Sequence, residues 1–146
     1  MTLKANIMKT IKFRGKRKNW NPDYGQPEWK FGNLLNNTSI GEVGYDMDNY
    51  EYSLVIPETI GQFTGLTDKN GNEIFEGDII RSVFSHNKTH QEIIGIIEWD
   101  SCNPCFVIHY KWQGDGHDCY EYDFVQCGLR KNEIIGNIHD SPELLK

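Results

Sequence analysis

The stretch Glu58-Thr-Ile-Gly-Gln-Phe-Thr-Gly-Leu-Thr-Asp-Lys-Asn-Gly-Asn-Glu-Ile-Phe-Glu-Gly-Asp-Ile-Ile80 decides the fold class of this 146-residue chain. Its apolar residues recur at short intervals, and Gly61, Gly65, Gly71 and Gly77 interrupt them, which excludes one long helix. Asp68-Lys-Asn-Gly71 is a turn signal, because Asn and Gly tolerate the positive φ that tight connections require. Glu76-Gly-Asp78 is a second turn, in which the aspartate is expected to bond local backbone N–H groups ahead of a strand. Ile79 and Ile80 lead into that strand, Arg81-Ser-Val-Phe84. Ile60, Phe63, Leu66, Ile74 and Phe75 are left for packing. Residues 57–77 are therefore expected to be a turn-rich connector between two β-rich parts.

On the N-terminal side, Thr10-Ile-Lys-Phe-Arg14 alternates polar and apolar residues and predicts a strand with Ile11 and Phe13 inward. Gly15 to Pro27 has the Asn, Pro and Gly content of a loop. Glu28-Trp-Lys-Phe-Gly-Asn-Leu-Leu35 alternates again, giving a second strand, with the basic residues of the pair facing outward. Ile40 and Val43 mark a short strand, and Tyr50-Glu-Tyr-Ser-Leu-Val-Ile56 a further one that Pro57 ends.

On the C-terminal side, strands are predicted at Glu92–Trp99, with Gly95 marking a bulge or close backbone approach, at Cys105–Trp112 and at Tyr120–Val125. Glu133–His139 is a last apolar segment. Ser141-Pro-Glu-Leu-Leu145 has the order of a helix start, Ser as N-cap and Pro at the first helical position. Short strands at this spacing predict a mainly β protein, with short N-terminal strands (residues 8–56) joined to an SH3-like, strongly bent β-barrel (78–140) and a helical turn at 141–146. Met8 is a second candidate start, so residues 1–7 are expected to be a poorly ordered extension of a single domain spanning 8–146.

The formal net charge of −6 conceals an asymmetry. Residues 1–30 hold eight basic and two acidic side chains, a balance of +6 that leaves −12 for the remainder. Such polarity favours homo-oligomers in which one molecule's N-terminus meets another's acidic body, and exposed strand edges act in the same direction. Lys12, Arg14, Lys16, Arg17 and Lys18, with Trp20, Tyr24 and Trp29 close in sequence, form a candidate binding surface, combining phosphate charge with stacking area. Against a dedicated nucleic-acid domain stands the acidic pI of about 5.3. No window approaches the ~18 apolar residues of a membrane span, and the pattern of a charged start followed by an apolar core, which would lead one to expect a signal peptide, is not seen. A cytoplasmic protein without a membrane partner is expected.

Cys102-Asn-Pro-Cys105 has the spacing of two zinc thiolates, with His109, His117, Cys119 and Cys127 downstream as completing ligands. A second close-spaced pair is missing, and no helix follows to activate a redox dithiol. Turn-associated cysteines are the plainer account, and no cofactor or metal is expected. Glu73, Glu76 and Asp78, or Asp115, Asp118, Glu121 and Asp123, would serve a metal-dependent hydrolase only if they converged on one ion. No glycine loop opens a helix with a following Lys-Ser or Lys-Thr, and no elbow frames a serine. Catalytic residues are therefore not assigned.

Three blocks together resemble the YopX family. Ile11-Lys-Phe-Arg-Gly-Lys16 with Glu28–Leu35 is similar to its opening strands, Pro57–Ile80 to its signature, and Ile134-Ile-Gly-Asn-Ile-His-Asp-Ser-Pro-Glu-Leu-Leu145 to its closing motif. The resemblance spans residues 8–145 and implies a mainly β, SH3-like protein encoded by bacteriophages or prophages. It carries no catalytic residues onto this chain, and the cysteines and histidines 102–119 lie outside its blocks. The expectation is a non-catalytic accessory module that binds a host protein or nucleic acid or assembles with itself. A metal-dependent hydrolase acting on nucleic acid is the alternative.

Overall fold

The computed structural model of the protein describes residues 11–42, 51–86, 89–121 and 132–146. Their strands are β1 (Phe13–Lys16), β2 (Trp29–Asn36), β3 (Ser39–Glu42), β4 (Glu51–Leu54), β5 (Gly61–Thr67) and β6 (Glu73–Phe75) in the first half. The second half adds β7 (Asp78–His86), β8 (Thr89–Asp100), β9 (Cys105–Lys111), β10 (Asp118–Glu121) and β11 (Glu133–Asn137). They make two antiparallel sheets, in the orders β4-β3-β2-β1-β5-β6 and β10-β9-β8-β7-β11. The mainly β expectation holds. The extension 1–7, Val43, Cys127 and the end of the strand predicted at 120–125 lie outside the described residues.

The stretch expected as a connector is strand over much of its length. β5 and β6 pair through Phe63↔Phe75 and Thr67↔Glu73 with an irregular register between them. Their turn follows from local chemistry: Gly71 takes φ +83° and its N–H donates to the Asp68 carbonyl at 3.0 Å. Asp68 Oδ1 accepts the N–H groups of Asn70 and Asn72, each at 2.9 Å, which closes the loop on its own side chain. The Glu76-Gly-Asp78 turn forms as expected, with the Phe75 N–H donating to Asp78 Oδ2 at 2.7 Å.

This stretch also joins the two sheets. Ile74 of β6 is fully buried with Ile80, Ile93, Ile97 and Ile108 of the second sheet, and Leu66, Phe106, Tyr110 and Ile134 pack around them. Burying each isoleucine contributes roughly 1.5–3 kcal/mol, so this cluster is the main apolar source of stability. At Gly95 the structure shows a close approach rather than a bulge, with β8 in regular register on both sides. A Cβ there would stand 2.5 Å from Ile108 Cγ2 and 2.7 Å from the His109 carbonyl oxygen.

Three expectations are corrected. In β1 the inward residues are Arg14, 8% exposed, and the adjacent Gly15, whereas Ile11 is 61% exposed. Lys30 is buried too, so the basic residues of the β1–β2 pair do not all face outward. An ion pair buries Arg14 on one face of β1 and close approach to Val55 and Ile40 buries Gly15 on the other, and hydrophobic alternation reports neither. The closed barrel of the C-terminal half does not form among the described residues. Closure requires the outer strands to bond each other, but β11 pairs with β7 and β10 with β9, leaving an open five-stranded sheet. Ser141 precedes a 3₁₀ turn, Pro142–Leu145, but its hydroxyl makes no capping bond.

The first sheet does curl at one end. The bridge Arg17↔Val55 brings the chain after β4 back to the end of β1, with the Lys18 N–H on the Leu54 carbonyl at 2.9 Å and the Ile56 N–H on the Lys16 carbonyl at 2.8 Å. Buried Ile40 and Val55 fill the inside of the curl against Gly15.

Candidate binding groove

The structure divides the sequence-predicted surface into two groups. Lys12, Arg14, Lys16 and Trp29 form a seam between the sheets, whereas Arg17, Lys18 and Trp20 line a separate groove. In the seam, Lys12 Nζ meets Glu73 Oε2 at 2.6 Å. Arg14 Nη2 meets Asp78 Oδ1 at 2.7 Å, and its guanidinium lies 4.9 Å from the Trp29 ring centre and 5.1 Å from that of Phe75. Lys16 Nζ bridges Glu28 at 3.0 Å and Asp140 at 2.5 Å. The Trp29 indole N–H donates to Asp140 Oδ2 at 3.0 Å and its ring tilts against His139.

The charges of the seam respond accordingly. The Asp140 hydrogen bond raises the Lys16 pKa above its ordinary value. Burial alone would raise Asp140, but hydrogen bonds from Lys16, Asn137 and Trp29 hold it below the ordinary carboxylate range. Burial and the nearby Arg14 and Lys16 charges lower His139. Burial raises Asp78 against the opposing pull of Arg14. These basic residues already have anionic partners within the chain, so they are poor candidates for phosphate contacts.

The groove, about 360 Å³ in volume, lies where the curl of the first sheet meets the β1–β2 loop. The loop is shaped by its own residues. Asn21 Oδ1 caps a 3₁₀ turn at Pro22–Tyr24 by accepting the Asp23 N–H, and Gly25 ends the turn with φ +66°. The Trp20 indole N–H donates to the Gln26 carbonyl at 2.8 Å, which fixes the ring. Arg17 Nε donates to the Pro27 carbonyl at 2.8 Å and its guanidinium also bonds the Ser53 hydroxyl, tying loop to strand. Trp20, Tyr24, Tyr52 and Leu54 are 39%, 75%, 58% and 52% exposed. Lys18 is exposed, with no side-chain bond to another described residue. Sequence reasoning located one wall of this groove; it missed Tyr52 and Leu54, which reach the site only through the Arg17↔Val55 pairing.

The cysteine and histidine candidates are distributed over hairpins of the second sheet. Cys102 lies in the β8–β9 turn with its N–H on Asp100 Oδ1 at 2.9 Å, and Cys102, Cys105 and Cys119 are free thiols. His117 is bonded to Asp115 within the β9–β10 turn. Among the described residues no group of three or more His, Cys, Asp or Glu is placed to hold a metal ion. His109 bridges two carboxylates, with Nδ1 3.0 Å from Glu98 Oε2 and Nε2 2.8 Å from Asp118 Oδ1, and stacks on Tyr120. Lys111 Nζ reaches the same Asp118 oxygen at 2.6 Å.

Partial burial pulls the His109 pKa down, but hydrogen bonds to Asp118 and Glu98 outweigh it and leave the pKa above the ordinary 6.5. Its stabilising contribution is therefore complete below that ordinary value and is lost as pH rises through the raised one. The melting-temperature gap between wild type and His109→Gln is expected to be widest below pH 6.5 and to narrow as pH rises through the raised value. A gap unchanged across that range would show that His109 acts only by packing on Tyr120.

Two packed antiparallel sheets define a mainly β protein, with an aromatic, weakly basic groove at one end of the first. The chain belongs to the YopX protein family, whose profile matches residues 12–146. The crystal structure of protein EF1440 from Enterococcus faecalis is similar, with 24% identity and a TM-score of 0.45, covering 94% of this chain and 99% of that one. No curated protein matches the chain. No helix among the described residues is long and apolar enough to cross a membrane.

Proposed function

We propose that the protein is a phage or prophage accessory module that works by binding in the host bacterial cytoplasm, and that the groove of Lys18, Trp20, Tyr24 and Tyr52 is its contact surface. The observation that carries this reading is the division of the basic patch. Lys12, Arg14 and Lys16 are paired within the chain, while the groove keeps exposed rings beside Lys18, whose side chain bonds no other described residue. The same intrachain pairing absorbs much of the charge contrast that favours self-association, so recognition of another molecule ranks ahead of homo-oligomer formation. A hydrolase reading is weakened because Asp78 holds the Phe75 N–H and Arg14, and Glu73 is paired with Lys12.

The test is capture from the host bacterium, nucleic acid included, with wild type and a Trp20→Ala/Tyr24→Ala/Tyr52→Ala variant whose melting curve confirms folding. A partner retained by wild type and lost by the variant is expected. Equal retention by both would assign recognition to a different surface.

A further inference from the structure

Resting on that reading of the groove, we infer that its ligand is single-stranded nucleic acid, with bases stacked on Tyr24 and Tyr52 and a backbone phosphate on Lys18. Base faces are hidden within a duplex but open in a single strand, and Tyr24 and Tyr52 present rings 75% and 58% exposed at the groove. Several exposed rings gathered at one groove offer stacking surface, and aromatic stacking accepts any base. The third ring, Trp20, is fixed by its bond to the Gln26 carbonyl, so a base meeting it does so at little cost in side-chain entropy. Arg17 is held at the groove by Pro27 and Ser53 and supplies a fixed positive charge beside the exposed one of Lys18.

The charge balance separates this ligand from its competitors. An acidic peptide would satisfy Lys18 but leave the ring faces without flat partners. A duplex would meet too few cations, because the other basic residues of the patch are ion-paired in the seam. With one or two cations engaged, log K is expected to fall with log salt at a slope of about −0.7 to −1.4, shallow for a nucleic-acid binder. The net charge of −6 further limits affinity for any polyanion.

The experiment is fluorescence anisotropy of a short labelled oligothymidylate titrated with the full chain, beside a duplex of the same length and an acidic peptide. Single strand is expected to bind about tenfold tighter than duplex, and Tyr24→Ala and Tyr52→Ala each to weaken it about tenfold. Lys18→Glu should weaken binding and flatten the salt slope. Equal binding of duplex, or binding indifferent to Tyr24→Ala and Lys18→Glu, overturns the assignment. So does binding of the acidic peptide alone. If the oligonucleotide does not bind while the triple variant still loses a captured partner, the nucleic-acid ligand falls and the groove stands. If capture is equally indifferent, both fall.

Discussion

Replacing Asp78 by alanine is expected to lower the free energy of unfolding by about 3–5 kcal/mol, the range for removing one partner of a buried ion pair. Asp78 is 1% exposed and accepts from both the Phe75 N–H and Arg14 Nη2. Its loss leaves the Arg14 guanidinium inside the seam with the Glu76 carbonyl at 3.3 Å as a remaining acceptor, and Arg14 Nε is already buried without one among the described residues. The pair is not a large source of net stability, since burial pushes the Asp78 carboxyl upward despite the adjacent cation. Breaking it is costly because the surviving charge cannot reach water. Asp78→Asn should cost less, as its amide oxygen can still accept from Phe75. An Arg14→Met/Asp78→Ala double variant should lose less than the two single losses combined. Urea titration with an unchanged m-value measures the wild type and the four variants, Arg14→Met included. A loss within about 0.5 kcal/mol for Asp78→Ala, as for an ordinary surface site, would remove the seam as a structural element.

The seam explains why residues that form one basic patch along the sequence fall in two places in the structure. Lys12 and Glu73 are 61 residues apart, and Trp29 and Asp140 are 111 apart. A tally along the chain sees eight cations gathered in thirty residues and their anions elsewhere. Folding places β1 between β2 and β5, so that the strand carrying those cations lies beside Glu73, Asp78 and Asp140. Charge asymmetry between two halves of a chain is thus as well satisfied within one molecule as between two. Arg17, Lys18 and Trp20 survived as groove residues because the loop that shapes them is local, built on Asn21, Gly25 and the Gln26 carbonyl. Tyr52 and Leu54 were not legible, since their strand carries no sign of which loop it will meet.

Strands such as β8 and β9 were legible because β-branched and aromatic residues dominate them. β5 and β6 were not, although they belong to the most distinctive stretch. Gly65 takes φ +87° and the register shifts between Phe63 and Thr67, so the period of two that marks a strand is broken. The barrel was over-read for a related reason: spacing gives the number of strands but not which outer pair will bond. In the first sheet, Val55 and Arg17 meet through a single bridge that no local pattern announces.

Asp68→Ala is expected to cost about 3 kcal/mol, because several donors lose one charged acceptor and hydrogen bonds to charged groups are each worth about 1.5–3 kcal/mol. Sequence alone assigns Asp68 to its own turn, where it accepts from Asn70 and Asn72. The structure adds a partner from the other sheet: Asp68 Oδ2 accepts the Ile134 N–H of β11 at 3.1 Å, while the Lys69 N–H donates to the Asn132 carbonyl at 2.9 Å. One carboxylate therefore shapes the β5–β6 turn and fastens β11 beside it. Asn70 and Asn72 are exposed, so water replaces part of what they lose; Ile134 is half-buried and recovers less. Burial would raise the Asp68 pKa, but the bonds from Asn72, Ile134 and Asn70 outweigh it and hold the carboxyl below its ordinary 3.8. A depressed carboxyl stabilises fully above the unfolded value and loses that contribution as pH falls through the folded one. Asp68→Asn keeps an acceptor oxygen without the charge, so its deficit relative to wild type should be present at neutral pH and shrink as the solution is acidified through that depressed value. Hydrogen exchange at the Ile134 amide should accelerate in Asp68→Ala more than exchange at the centre of β8. Equal protection at Ile134 in variant and wild type would show that β11 is held by its ladder with β7 alone.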